Sequence, residues 1–290
     1  MGKFPPWRPL AALLLPALLV LAACAPKPPA DPHYQLGAPY QAGGVWYYPR
    51  ENFSASETGL AAVAPDSHPP LTANGEAYDP TAMAAGHQTM QLPAIARVTN
   101  LETGRQLVLR INDRGPASPA RLLELTPRAA QLLGVPPAGG SQIRVDILPA
   151  ESRAAIEGLR GTPTLAIAAA PRGAVRQESL DAPAPDAAPT EAATVPAAPA
   201  VPRLPEAVLQ TVPSPGTLAI RLGSFGRREF AETQRARLAR FAPILETERE
   251  GRQTVYRLRI SPLRDVAAAD STLAQVIRAG VTDARIVVEE

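Results

Sequence analysis

The sequence is short of the residues that crosslink chains or bind metals. It has one cysteine, Cys24, in 290 residues. That excludes an intrachain disulfide and any multi-cysteine metal site. Its three histidines, His33, His68 and His87, are scattered without metal-ligand spacing. No metal and no cofactor is therefore expected. The formal net charge is only +2, too weak a basic bias for a dedicated nucleic-acid binder. Leu10 to Ala23, an apolar run broken by Pro16, falls short of the ~20 residues that a membrane-spanning helix needs. What is present is proline, 34 residues against a usual share of ~5%. Hydrophobic residues make up 46%, enough for packed cores, so the prolines imply linker between one to three domains.

Lys3 and Arg8 ahead of the apolar run read as an export signal over residues 1–23. The run ends Leu21-Ala22-Ala23-Cys24, small residues before a lone cysteine. This resembles a bacterial lipobox, which implies lipidation of Cys24 and a membrane anchor. Ala25, rather than Asp, follows the cysteine; by the same resemblance this implies the outer membrane. Residues 24–43, with Pro26, Pro28, Pro29, Pro32 and Pro39, read as an extended tether.

Residues 44–149 carry short strands. Val45 to Tyr48 is a β-prone run, and Ile95–Thr99 and Leu107–Asn112 flank a turn at Asn100–Gly104. Leu107, Leu109 and Ile111 alternate with Val108, Arg110 and Asn112, as do Ile143, Val145 and Ile147 with their neighbours, so each strand has one apolar face. Thr126-Pro127 opens a helix that Gly134 closes. One small helix among many strands predicts a compact β-barrel. Residues 150–214 hold most of eleven prolines between Pro163 and Pro215, and read as a disordered Pro/Ala-rich linker; Leu165-Ala166-Ile167 is its only strand-like piece. Residues 215–290 regain order. Strands at Leu218–Leu222, Pro243–Glu248, Tyr256–Ile260 and Ile286–Val288 alternate with a helix bearing Phe230, Leu238 and Phe241 and one bearing Leu273, Val276 and Ile277. The order is β-α-β-β-α-β.

Two stretches resemble known families. Leu71-Thr72-Ala73-Asn74-Gly75-Glu76-Ala77-Tyr78-Asp79, Ala85-Gly86-His87-Gln88-Thr89-Met90, Arg97-Val98-Thr99-Asn100-Leu101 and Arg110-Ile111-Asn112-Asp113-Arg114-Gly115-Pro116 stand in the order seen in the rare lipoprotein A (RlpA) family. The resemblance implies a double-psi β-barrel. Some members of that family are septal lytic transglycosylases that cut glycan strands lacking stem peptides; others lack cleavage activity. Residues 216–290, with Gly223-Ser224-Phe225, resemble a SPOR domain, which implies binding to denuded glycan at the division septum. The fold class expected is thus mainly β plus α+β: a double-psi barrel followed by a ferredoxin-like SPOR module. The sequence departs from the family at Trp46-Tyr47-Tyr48-Pro49, at Ala117, at Glu124 in place of a family Asp, and in an insertion-like stretch from Glu57 to Pro70.

Cleaving a glycosidic bond needs a proton for the leaving oxygen and stabilisation of an oxocarbenium-like state. A lytic transglycosylase uses the sugar's own 6-hydroxyl in place of water, so one carboxyl group can act as acid and then as base. The resemblance assigns that role to Asp113, with Glu76 and His87 in the same cleft. Asn74, Tyr78 and Arg114 are candidate substrate contacts there; alternation along the strand would turn Arg114 away from Asp113. Arg221, Ser224 and Arg257 are candidate glycan contacts on the C-terminal sheet. The residues alone also allow blander readings: Asn112–Pro116 as a turn capped by Asp113, Glu76 as a solvated carboxylate, His87 as a structural residue, Arg121 and Arg128 as solvated or salt-bridged. Three functions are compatible: a lytic transglycosylase, a non-catalytic glycan-binding septal lipoprotein, and wall loosening without cleavage. All three expect glycan binding; the partners expected are denuded peptidoglycan strands, the membrane through Cys24 and the septal division machinery, and no nucleic acid. The chain is expected on the outer membrane, facing the periplasm and enriched at the septum.

Overall fold

A computed structural model describes residues 2, 29–163 and 201–290. The export signal, Cys24 and the strand-like Leu165-Ala166-Ile167 lie outside the described residues. The N-terminal half closes into a ring of six strands. Strand β3 (Ser56–Val63) pairs antiparallel with β8 (Gln142–Ile147) and parallel with β7 (Leu123–Leu125). Strand β4 (Ala84–His87) pairs antiparallel with β7 and parallel with β6 (Arg105–Asp113). Strand β5 (Ala94–Asn100) lies antiparallel between β6 and β8 and completes the ring. Closure removes the free edges that would otherwise invite pairing with other chains. The predicted apolar faces fill the interior: Leu107, Leu109 and Ile111 from β6, and Ile143, Val145 and Ile147 from β8. Each such side chain stabilises the fold by roughly 1.5–3 kcal/mol on burial. Helix α1 (Pro127–Leu133) begins where expected, with the Thr126 hydroxyl accepting from the Ala129 N–H. It ends at Gly134 in the left-handed conformation, φ 74°.

Three segment readings need correcting. The stretch Glu57–Pro70, read as insertion-like, holds all but the first residue of β3, a ring strand. Its sequence shows no alternation because both faces are buried: Ala61 enters the barrel core, while its neighbour Leu60 packs into the C-terminal core. The tether reading of 24–43 fails from Asp31 onward. The Asp31 and His33 N–H groups bond to Gly75 and Asn74 carbonyls, and Gln35 exchanges two backbone bonds with Leu92 at 2.7 and 2.9 Å. A hairpin of β1 (Tyr40–Ala42) and β2 (Val45–Tyr47) follows. The linker reading of 150–214 fails at both ends. Residues 150–156 belong to α2 (Pro149–Ile156), whose buried Ser152 bridges the backbone N–H and C=O of Ile95. Further on, β9 (Leu209–Gln210) pairs with Arg105 and Gln106 of β6.

The C-terminal module is a four-stranded antiparallel sheet in the order Ile244–Glu250, Gln253–Leu263, Thr217–Phe225, Arg285–Glu289. Its elements run β10 (Thr217–Phe225), α3 (Arg228–Arg237), β11 (Ile244–Glu250), β12 (Gln253–Leu263), α4 (Val266–Arg278) and β13 (Arg285–Glu289), the expected order. Leu218, Ile220 and Leu222 meet Leu258, Leu273 and Val276 in its core. Of the three apolar residues assigned to the first helix, Leu238 is buried, Phe241 sits in a following 3-10 turn, and Phe230 is exposed.

The two modules pack together through β3 and the edge strand β13. The Thr58 hydroxyl donates to the Val288 carbonyl at 2.6 Å and accepts from its N–H at 3.2 Å, satisfying edge groups of the sheet. Gln142 exchanges two hydrogen bonds with Gly216. Arg121 grips Asp270 with two bonds of 2.7 and 3.0 Å. Leu60 and Leu101 complete the C-terminal core from the barrel side.

Candidate active site

A cleft of about 410 Å³ opens beside the carboxyl end of β6, and a second hollow of about 260 Å³ adjoins it. Three side chains line both: His68, Asp113 and Glu124. Asp113 reaches this position through a slip in strand register. Ala85 stands opposite Ile111, but Gly86 stands opposite Asp113, so Asn112 is an extra residue in β6. A bulge of this kind resets alternation. Ile111 therefore points into the core, whereas Asp113 faces the cleft.

The Asp113 carboxyl is fixed on both oxygens. Oδ1 accepts the N–H groups of Ala73 (2.8 Å) and Arg114 (2.7 Å). Oδ2 lies 2.9 Å from His68 Nε2. His68 in turn donates from Nδ1 to the Pro69 carbonyl at 2.8 Å and stacks on the Tyr78 ring, centroids 3.7 Å apart and planes 12° from parallel. Glu124, on β7, completes the cluster. Burial pushes its carboxyl above the ordinary range; nearby His68 opposes the rise and Asp113 adds to it.

Glu76 lines the cleft but is fully engaged. Arg110 donates to it from Nε and Nη2 (2.7–3.1 Å), Asn112 at 2.8 Å and Asn74 at 2.6 Å. All four groups are buried. This carboxylate anchors the Thr72–Glu76 turn to β6, and that turn supplies the Ala73 N–H that holds Asp113. Asn74, expected to touch substrate, is instead wholly buried against Glu76.

His87 does not share the cleft. All four residues of β4 are buried, and the imidazole lines neither hollow. Its Nδ1 accepts the N–H groups of Thr89 and Met90, both at 3.1 Å. Its Nε2 is buried without a partner among the described residues. Burial lowers its pKa from 6.5 to about 4, so the ring is neutral and structural. Arg114 is also structural: its guanidinium donates to the carbonyls of His87, Met90 and Leu36. The backbone alternation expected for it does turn it from Asp113, but toward the barrel wall, where the carbonyls of a loop and the docked N-terminal segment need a donor. Tyr78 lines the cleft as expected.

Val201, Pro202, Arg203 and Leu204 also line the cleft. Arg203 is held by Asp79 and by Thr81 at 2.7 Å. Arg128 pairs with Glu206 nearby. In the C-terminal module, Ser224 and Arg257 are register partners on β10 and β12; Arg257 pairs with Glu248. Arg221 is half-buried on β10, its charge close to those of Arg285, Arg257 and Glu57. Among the described residues, no cluster of three or more His, Cys, Asp or Glu is placed to hold a metal ion. Sequence reasoning missed His68, and met Glu124 only as a departure. Both join Asp113 through the fold: His68 precedes it by 45 positions and lies in a Pro-flanked loop without periodicity.

The closed barrel with an acidic cleft, followed by an α+β sheet module, defines a two-module class, and comparison with known proteins agrees. A family model described as lytic transglycolase matches residues 42–145, and a SPOR domain model matches residues 214–286. The chain belongs to the RlpA family. It is 33% identical to the endolytic peptidoglycan transglycosylase RlpA of Pseudomonas aeruginosa strain PAO1, over 78% of this chain and 69% of that protein. Proteins of the same name from Escherichia coli K12 (40% identical, over 40% of this chain and 34% of that one) and Rickettsia bellii (30%, over 45% and 62%) match shorter stretches.

Proposed function

We propose that this protein is a peptidoglycan lytic transglycosylase that cuts the MurNAc–GlcNAc bond of denuded strands and leaves a 1,6-anhydro end. The observation that carries the reading is the position of Asp113, a fixed carboxyl at the junction of two hollows. A glycan lying across that junction has sugar on both sides of the acid, as cleavage within a strand requires. Asp113 protonates the departing oxygen and then receives the proton of the attacking 6-hydroxyl. Glu124 neighbours it, its own carboxyl pushed up chiefly by burial. Glu76 acts by holding the Ala73 turn rather than by moving a proton.

In this reading residues 1–23 direct export and Cys24 carries the lipid that holds the chain to the outer membrane, facing the periplasm. The C-terminal module retains the protein on denuded septal glycan, with Arg221, Ser224 and Arg257 as its contacts, close to the division machinery. The test is product analysis by mass spectrometry of amidase-treated sacculi. The wild-type chain releases 1,6-anhydro sugars, and Asp113→Asn lowers the rate about 10²- to 10⁴-fold. Glycan binding without any anhydro product from the wild type would instead make the chain a non-catalytic septal lipoprotein.

A further inference from the structure

The contact between His68 and Asp113 constrains where a proton must be. His68 Nδ1 lies 2.8 Å from the Pro69 carbonyl, which can only accept, so Nδ1 carries a hydrogen. In a neutral ring Nε2 would then be a bare lone pair. It faces Asp113 Oδ2, also an acceptor when ionised, at 2.9 Å. Two acceptors do not rest at that distance without a proton between them. The pair therefore holds one proton, as imidazolium with carboxylate or as imidazole with carboxylic acid. The two N–H groups on Oδ1 favour the charged carboxylate. Stacking on Tyr78 holds the ring in place.

We propose that His68 is a positioning residue for the cleavage step, which acts through Asp113 by keeping a shared proton on the pair at neutral pH. This rests on the transglycosylase reading. As the C1–O4 bond breaks, the shared proton leaves with O4. As the C1–O6 bond forms, the proton of the 6-hydroxyl returns to Asp113 and His68, so the pair ends with the proton count it began with. Glu124 on β7 lies near both members of the pair, Tyr40 of β1 and Arg114, its guanidinium turned to backbone carbonyls, lie near Asp113, and Tyr78, which stacks on His68, has Asp79 near it. Asp66 lies on His68's own loop.

Two measurements on the full chain test this. The first compares pH–rate profiles for anhydro-sugar release by wild type and His68→Gln. Gln can still donate to Oδ2 but cannot carry the proton. The expected loss is about tenfold greater near pH 7.5 than near pH 5, because the alkaline limb moves to lower pH. A loss by one constant factor at every pH, or superimposable profiles, would overturn the proposal. The second follows the His68 ring nitrogens by ¹⁵N NMR at neutral pH. Nε2 carries the shared proton in the wild type and becomes a bare lone pair in Asp113→Asn; an unchanged Nε2 signal overturns the pairing. A wild type that releases no anhydro sugar would sink the transglycosylase reading instead, an active Asp113→Asn enzyme would remove Asp113 from the chemistry, and the NMR result stands apart from both.

Discussion

The imidazole of His87 lies inside the barrel wall, and its buried, neutral state has a consequence for stability. The native ring binds a proton only near pH 4, whereas an unfolded histidine does so at its ordinary 6.5. As pH falls through that window the unfolded state takes up the proton first. The contribution is thus complete above pH 6.5 and is lost toward pH 4, by on the order of 3 kcal/mol. His87→Gln keeps an acceptor for the Thr89 and Met90 N–H groups but cannot titrate. Urea midpoints measured from about pH 7 to pH 4 should fall less steeply for this variant than for wild type; parallel curves would contradict a buried neutral ring. At the same scale, Asp113 was legible in its motif, and Tyr78 in its place beside Asn74-Gly75-Glu76. Glu76 was not: whether a carboxylate is solvated or locked among Arg110, Asn112 and Asn74 depends on strand partners that lie 34 and 36 positions away.

Among the elements, those with regular alternation or explicit caps could be read directly. Strand β6 and the Thr126-Pro127…Gly134 helix are examples, since their signals are local. Strand β3 was hidden because burial on both faces erases the period of two. Helix α2 was hidden for a different reason: it has no side-chain cap at Leu148 and it stands at the margin of a proline-rich stretch. What holds it is tertiary, chiefly the Ser152 hydroxyl, which accepts from the Ile95 N–H at 2.9 Å and donates to its carbonyl at 3.0 Å. Ser152→Ala removes the hydroxyl that the Ile95 N–H donates to, at a fully buried position, while the Ile95 carbonyl keeps the Leu148 N–H at 2.8 Å. The expected cost is about 1–3 kcal/mol, read as a lower denaturation midpoint with an unchanged denaturant slope. A neutral result would mean that α2 is held by its apolar contacts alone.

For the molecule as a whole, the two modules share an interface with three kinds of contact: the Leu60 and Leu101 side chains in the C-terminal core, the Thr58 bridge to the β13 edge, and the Arg121–Asp270 pair. The Arg121–Asp270 pair is the cleanest probe because both residues lie near the surface. A double-mutant cycle of Arg121→Ala and Asp270→Ala should yield a coupling of about 1 kcal/mol in global stability. A coupling of zero would show that the modules do not hold this contact in solution. Such an interface sets the C-terminal sheet in a fixed place relative to the barrel cleft.

By itself the sequence determined the two-module plan, the barrel's alternating strands, the order of the C-terminal elements, and the motif that carries Asp113. These depend on local signals: periodicity, caps and contiguous motifs. Only the tertiary structure decided that His68 and Glu124 join Asp113, that His87, Asn74 and Arg114 serve the scaffold, and that β3 belongs both to the barrel wall and to the module interface. The reason is physical. A side chain's role follows from its partners and its burial, and closure of the ring brings together partners from distant strands and loops.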